Sequence, residues 1–250
     1  MKPATTATIL VDKYRQTAGA PAGDTGEHYK GLRIHALDGL HPFVAQRLRQ
    51  AVPSGASVLD VAAGSGALSL RLADLGYQVT SADIVDDGFQ LKDRIPFVSV
   101  DLNSNFSERV GRTFDAIVAV EIIEHLENPR HFFRQCFSLL KPGGALLLST
   151  PNLDSPASKA IFVRYGNFQW FSDGDYKSEG HILPVAPWVM RKCAAEIGFA
   201  PLWEGSCGEP YRGIEDSRKL KLLAQFLSLT STTPLHLRGE IYVAVFRKPQ

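Results

Sequence analysis

The chain has 250 residues, a formal net charge of +1, 44% hydrophobic residues and 21% charged residues. That profile fits one large α/β domain with a substantial core. It excludes bulk charge as a basis for nucleic-acid binding and leaves only a local basic patch. Cys136, Cys193 and Cys207 are odd in number and widely spaced, which excludes a disulfide framework and a thiolate metal cluster. Each is expected as a small, reduced, buried group. No apolar run nears the roughly 18 residues that span a bilayer, and MKPATTATILVDKYRQ at the N-terminus lacks a long apolar core and a cleavage-like site. The expectation is a soluble cytoplasmic protein.

Residues 1–26 are rich in Ala, Thr, Gly and Asp and are expected to be an arm, in part disordered. Glu27–Leu40 gathers His28, Tyr29, Arg33 and His35. It suits a lid over a ligand site or a plain surface connection, so 1–40 is assigned as an N-terminal arm or lid. His41–Val52 has Phe43, Val44, Leu48 and Val52 at helical spacing, ended by Pro53.

The rest of the chain is arranged around Ser57–Gly66, SVLDVAAGSG. Val58, Leu59 and Val61 predict a buried strand with Asp60 near its carboxyl end. Ala62–Gly66 is too small and flexible to continue it, and Ala67–Leu75 has helical spacing. Such a turn lies at the carboxyl edge of a parallel sheet, where open α/β folds bind ligands. Gly64 and Gly66 permit close backbone approach, and the helix start offers unpaired N–H groups.

Tyr77–Ala82 predicts a second strand ending at Asp83, seventeen positions after Gly66 and followed by Ile84. A carboxylate there can accept both hydroxyls of a ribose. Pro96–Val100 predicts a third strand, with Asp101 at its end placed to face an adenine amino group. Thr113–Val120 is nearly continuous in apolar residues, as a central parallel strand would be. Glu121-Ile-Ile-Glu124-His125 follows. Pro129–Leu140 predicts a helix, Lys141–Gly144 a turn and Ala145–Thr150 a fifth strand. The alternation from 57 to 150 predicts a doubly wound, mostly parallel sheet with helices on both faces.

If the Glu121–His125 turn starts a helix, Glu121 and Glu124 or His125 share one face. Two carboxylates and an imidazole suit Mg²⁺ or Zn²⁺, with His181 as a fourth ligand. Two other readings stay open. His125 or His181, beside Glu124, acts as a metal-free general base, or Glu124 and His125 only brace the turn.

Asn152–Gly180 is irregular, with a helix expected at Ile161–Tyr165. Phe168, Trp170, Phe171 and Tyr176 crowd together with Asp173 and Asp175, either as an aromatic wall for a flat or sugar-like acceptor or as packing. Pro187–Gly198 predicts a helix and Phe199–Glu204 a strand. Ile214–Leu229 predicts an amphipathic helix carrying Leu220, Leu223, Phe226 and Leu227, expected in the core, with a lid or a homodimer face as alternatives. IYVAVF within Glu240–Phe246 predicts a last strand.

The ordered set of the glycine turn, Asp83, Asp101, EIIEHLENP, LKPGG, STPN and GHILPVAPWVMRKCAAEIGF resembles the class I S-adenosylmethionine-dependent methyltransferases. Within them it is similar to the branch of ubiquinone-biosynthesis O-methyltransferases and small-molecule or sugar methyltransferases. The resemblance covers about 57–150 and extends weakly to about 200. It implies one methyltransferase domain over 1–250, with a cofactor core at 57–150 and an acceptor-side insertion at 151–185. It implies a seven-stranded sheet whose last strand is antiparallel.

It also implies that 60–66 hold the methionine part of the cofactor, with Asp60, Ala62, Gly64 and Gly66 in the turn. Asp83 and Ile84 would hold the ribose, Asp101 and Leu102 would frame the adenine, and Glu121 would line the methionine end. Some relatives with similar E-x-x-E-H sets bind a divalent metal. The family usually has Gly at position 62. The Ala62 of this chain is expected to meet the turn with a negative φ.

The implied activity is methyl transfer to a small-molecule acceptor, oxygen before nitrogen or carbon. The alternatives are an RNA 2′-O-methyltransferase, an NAD-dependent oxidoreductase and a partner subunit that binds cofactor without catalysis. Against the oxidoreductase, Ser69 stands where G-x-G-x-x-G needs its third glycine.

Overall fold

The computed structural model describes residues 8–12, 26–84 and 86–250. The predicted arm over 1–26 therefore lies almost wholly outside the described residues, apart from a helical turn at 8–12. The lid candidate is an antiparallel hairpin, β1 (His28–Tyr29) with β2 (Leu32–Arg33). Tyr29 donates to Asp74 Oδ2 at 2.8 Å, and Ser65 Oγ donates to the Arg33 carbonyl at 2.6 Å. These bonds hold the hairpin against the glycine turn and its helix.

After helix α1 (Leu40–Ala51) come β3 (Ser57–Val61), α2 (Ala67–Asp74), β4 (Gln78–Asp83), β5 (Phe97–Ser99), α3 (Phe106–Val110) and β6 (Phe114–Ala119). Then follow α4 (Pro129–Leu139), β7 (Leu140–Pro151), α5 (Pro156–Tyr165), α6 (Asp173–Glu179), α7 (Pro187–Ile197), β8 (Ala200–Cys207), α8 (Arg218–Thr230) and β9 (Ile241–Arg247). The seven-stranded sheet has the order β5-β4-β3-β6-β7-β9-β8. β3 pairs in parallel with β4 and β6, and β6 with β7, while β9 is antiparallel to both of its neighbours.

The central strands bury both faces. Leu59, Val61, Ile117, Leu146 and Leu148 pack with Phe132 and Phe133 of α4 and Met190 of α7. Val58, Ala116, Val118 and Leu147 pack on the opposite face with Val44 and Leu48 of α1 and Leu72 of α2. Period-2 alternation between two buried layers explains why these strands are apolar throughout. The helix ends follow their residues. Asn128 accepts from the His131 N–H ahead of Pro129, and Gly198 closes α7 at φ 103°.

Three expectations change. Lys141–Gly144 is not a free turn but the entry to β7, which pairs from Leu140 with Phe114 and shifts register between Phe114 and Ala116. Gly144 allows that close pairing, since a Cβ there would stand 2.9 Å from the Lys141 carbonyl oxygen. Glu121–His125 starts no α-helix. A single 3-10 turn, Ile123–His125, forms, and Glu121 precedes it at φ 50°. In α8, Leu220 and Ala224 pack against α5, with Leu223 and Leu227 beside them, but Phe226 is 61% exposed. Among the described residues, no helix is long and apolar enough to cross a membrane.

Candidate active site

A cavity of about 650 Å³ opens at the carboxyl edge of β3, β4 and β6. Of the predicted cofactor residues, Asp60, Ala62, Gly64, Asp83, Ile84, Asp101, Leu102 and Glu121 all line it. Gly66 does not. It caps α2 at φ 92°, and a Cβ there would meet Leu91 at 2.8 Å and Phe89 at 2.9 Å. Its role is to let the turn pass beneath those side chains.

Asp83 Oδ2 accepts the Gly64 N–H at 2.8 Å and so fastens the glycine turn to the end of β4. Asp60 is 2% exposed and accepts from Ser69 Oγ at 2.6 Å; Ser69 Oγ also contacts Ser81 Oγ. Burial pushes the Asp60 carboxyl up to about 7, against the Ser69 hydrogen bond and with help from the Asp83 charge. Ser69 thus has a task in this chain that glycine could not perform. Asp101 Oδ1 accepts the Asn103 N–H at 2.9 Å.

Ala62 departs from its expected backbone. Its φ is +59°, in the left-handed region, not negative. The turn imposes its own geometry on the alanine, at a cost of about 1 kcal/mol or more. Glu121, at φ 50°, is a second strained residue on the same rim.

Glu121 and Ser149 bond reciprocally. The Glu121 N–H donates to Ser149 Oγ at 3.1 Å, and Ser149 Oγ donates to Glu121 Oε1 at 2.8 Å. Glu124 is fully buried. Its Oε2 accepts from Thr150 Oγ1 at 3.1 Å, and its Oε1 has no hydrogen-bond partner. Burial first, then the Glu121 charge, raises the Glu124 carboxyl well above the usual range.

His125 lines the cavity, with its ring 4.9 Å from that of His181 and edge-on to it. His125 Nδ1 faces the Gly180 carbonyl at 3.3 Å, and His181 Nδ1 faces the Trp170 carbonyl at 2.8 Å. A carbonyl only accepts, so each Nδ1 carries the proton and each Nε2 is the basic nitrogen.

One ligand atom each from Glu124, His125 and His181 fits within 4.8 Å of the others. Three of the four predicted metal-ligating residues therefore converge. Glu121 lies outside that set because its backbone turns it toward Ser149. Two imidazoles, each held by a carbonyl at its other nitrogen, and a carboxylate with an unpartnered oxygen suit a borderline divalent cation such as Zn²⁺.

The aromatic wall is largely packing. Phe168 stacks on Phe162 with centroids 4.5 Å apart, and Phe171 leans on His181. Of the four rings only Tyr176 lines the cavity. Asp175 is spent in a capping box with Ser172, and Asp173 sits beside it in the first turn of α6.

The structure also brings in His41, Ile182 and Leu183, which the sequence did not assign; Ser65 of the 60–66 turn lines the cavity too, as do Arg33 and His35 from the lid candidate. His41 Nδ1 has no hydrogen-bond partner, and burial lowers its imidazole to about 3, so it is neutral. At the start of α1, His41 resembled any solvated N-terminal residue. Only the fold shows that it is buried.

Comparison with known proteins agrees with this site. The family described as methyltransferase domain matches residues 33–200. The ubiquinone biosynthesis O-methyltransferase of Xanthomonas oryzae pv. oryzae (strain PXO99A) is 37% identical over 192 residues, 72% of this chain and 77% of that protein. Its namesake in Xanthomonas axonopodis pv. citri (strain 306) is 40% identical over 143 residues, and the match spans 56% of that protein. Among solved structures, the N-methyltransferase NodS of Bradyrhizobium japonicum WM9, in complex with S-adenosyl-L-homocysteine, has the same fold. Its TM-score is 0.56 at 15% identity, covering 96% of this chain and 99% of that one. The glycine turn, the acids at successive strand ends and these matches agree: the chain belongs to the methyltransferase domain family and is an S-adenosylmethionine-dependent methyltransferase.

Proposed function

We propose that this enzyme methylates a hydroxyl oxygen of a small molecule, with His125 receiving the hydroxyl proton. The observation that carries the reading is His125 at the cavity wall, its Nδ1 engaged by the Gly180 carbonyl and its Nε2 therefore basic. In the displacement, the acceptor oxygen forms a bond to the methyl carbon as the carbon–sulfur bond breaks. The proton passes to His125 Nε2, and the sulfonium charge is lost to the neutral thioether product. Holding the oxygen in line with the sulfur supplies much of the acceleration. The relatives named O-methyltransferases favour oxygen as the atom methylated.

In this reading Asp83 holds the ribose, Asp101 and Leu102 the adenine, and the 60–66 turn the methionine part. The reaction is assigned to the cytoplasm, in keeping with three free cysteines. A second reading is favoured by the converging Glu124, His125 and His181. These residues would hold a divalent cation, which would lower the pKa of an acceptor hydroxyl.

The test is methyl transfer to a catechol by metal-stripped enzyme, with and without added Zn²⁺ or Mg²⁺. Methylation at oxygen is expected. His125→Gln is expected to lower kcat by roughly 10²–10⁴-fold with unchanged affinity for S-adenosylhomocysteine. Undiminished kcat in that variant would remove His125 from the role. Activity only with added metal would favour the second reading.

A further inference from the structure

The chain between α5 and α7 is fastened at both ends. At the near end Gln169 is buried; its N–H donates to Ser158 Oγ at 3.3 Å and its Nε2 to the Arg212 carbonyl at 2.9 Å. At the far end the Leu183 N–H donates to the Glu124 carbonyl at 3.0 Å, and Val185 is buried. Between these anchors lies Trp170–Gly180, which carries α6. No residue of α6 is buried.

α6 is closed on itself. Ser172 and Asp175 form a reciprocal capping box at its start, and the Gly180 N–H donates to the Tyr176 carbonyl at 2.9 Å at its end. These internal bonds survive a displacement of the whole helix. The residues that join it to the anchors, Trp170 at φ 68° and Gly180 at φ 77°, are both left-handed. That conformation is ordinary for glycine and strained for tryptophan. Such strain persists only where the surrounding structure enforces it, and it gathers at ligand clamps.

Each junction meets an imidazole. The Trp170 carbonyl accepts from His181 Nδ1 at 2.8 Å, and the Gly180 carbonyl accepts from His125 Nδ1 at 3.3 Å. Beside the packed anchors, a long hydrogen bond and a helix that buries nothing are weak fastenings. From this segment the Tyr176 side reaches the cavity, whose wall it shares with His125, Ile182 and Leu183.

We propose that Trp170–Gly180 is a strap: it swings on its two left-handed junctions to admit the acceptor and closes with the Tyr176 ring against it. Tyr176 is then an acceptor-binding residue. This rests on the reading, given above, that the acceptor lies beside His125. Closure excludes water from the acceptor and holds it for in-line transfer.

The experiment uses the full chain saturated with S-adenosylhomocysteine, with catechol as the acceptor probe and calorimetry to establish its saturation. Backbone-amide relaxation dispersion reads motion on the μs–ms scale, where closing loops move. Amides from 170 to 180 are expected to share one exchange process that is absent from the interiors of α5 and α7. Saturating catechol is expected to quench it in wild type and in Tyr176→Phe, and to leave it in Tyr176→Ala. Tyr176→Ala is also expected to raise the KM for catechol about tenfold, the worth of one aromatic contact, with the KM for S-adenosylmethionine unchanged. Gly180→Ala, which puts a side chain at a left-handed junction, is expected to enlarge the open population.

No shared exchange in wild type, or exchange spread equally through α5 and α7, would overturn the strap. Quenching that persists in Tyr176→Ala would overturn the contact, as would a lower melting temperature in that variant with an unchanged KM for catechol. Catechol that fails to bind would overturn closure on the acceptor. Transfer to the oxygen of catechol, measured separately, reports on the O-methylation reading, so either can fail alone.

Discussion

The two halves of the ligand-binding edge are built differently. In the cofactor half, carboxylates are engaged by the protein itself: Asp83 by the Gly64 N–H, Asp60 by Ser69 and Asp101 by the Asn103 N–H. Beyond Ser149, one oxygen of Glu124 has no hydrogen-bond partner, nor does either oxygen of Glu240, which is ion-paired with Arg212 at 3.7 Å. The first half is organised before any ligand arrives, as suits a cofactor that never changes. The second leaves hydrogen-bonding capacity that the protein itself does not satisfy.

That contrast can be broken most forcefully at Asp83. Asp83→Ala removes the carboxylate assigned to the ribose in the proposed reading and also releases Gly64. Two hydrogen bonds to a charged group predict a loss of roughly 3 kcal/mol or more in binding S-adenosylhomocysteine, a factor of about 10² or greater. Calorimetric titration checks it; retained tight binding would mean that the cofactor half is not organised by this carboxylate.

A smaller effect sharpens the contrast at Asp60. Its carboxyl titrates near 7 in the fold and near 3.8 in an unfolded chain. A raised acid is protonated in the native state over that window, so stability is fully present below about pH 4 and is lost as pH rises toward 7. Asp60→Asn removes this dependence. It is expected to leave the melting temperature little changed at pH 4 and to stabilise the apoprotein by about 1–3 kcal/mol at pH 8, read by thermal unfolding at both pH values. Equal effects at both would place the carboxylate outside this linkage.

The smallest expected change is at Ala62. Ala62→Gly relieves a left-handed alanine and is expected to stabilise the fold by about 1 kcal/mol while preserving cofactor affinity. Chemical denaturation checks it. A loss of stability would show that the alanine methyl packs more usefully than its backbone is strained.

The same division explains what was legible in the sequence. SVLDVAAGSG, with Asp83 and Asp101 at later strand ends, follows local rules of strand, turn and spacing, and the cofactor half obeys them. The backbone of Ala62 was not legible, because the turn's tertiary bonds override the preference of the residue. Lys141–Gly144 carries strong turn residues, yet pairing with Phe114 draws it into β7.

On the acceptor side, spacing rules had little to act on. Glu121, Glu124 and His125 looked like one helical face because the chain gives no local sign that it stops after a single 3-10 turn. Glu240, alone before IYVAVF, had no partner in the sequence at all. Only the antiparallel insertion of β9 between β7 and β8 carries it to the carboxyl end of β7.

The Glu124 carbonyl accepts the N–H of Leu183 at 3.0 Å and of Ile182 at 3.4 Å. His181, the residue before them, is thus brought to His125 by main-chain bonds that depend on no particular side chain at 182 or 183. Substitutions along this acceptor-side connection can reshape the pocket wall while the imidazole pair stays in register. An enzyme so built can vary this wall during evolution without disturbing the placement of the imidazole pair.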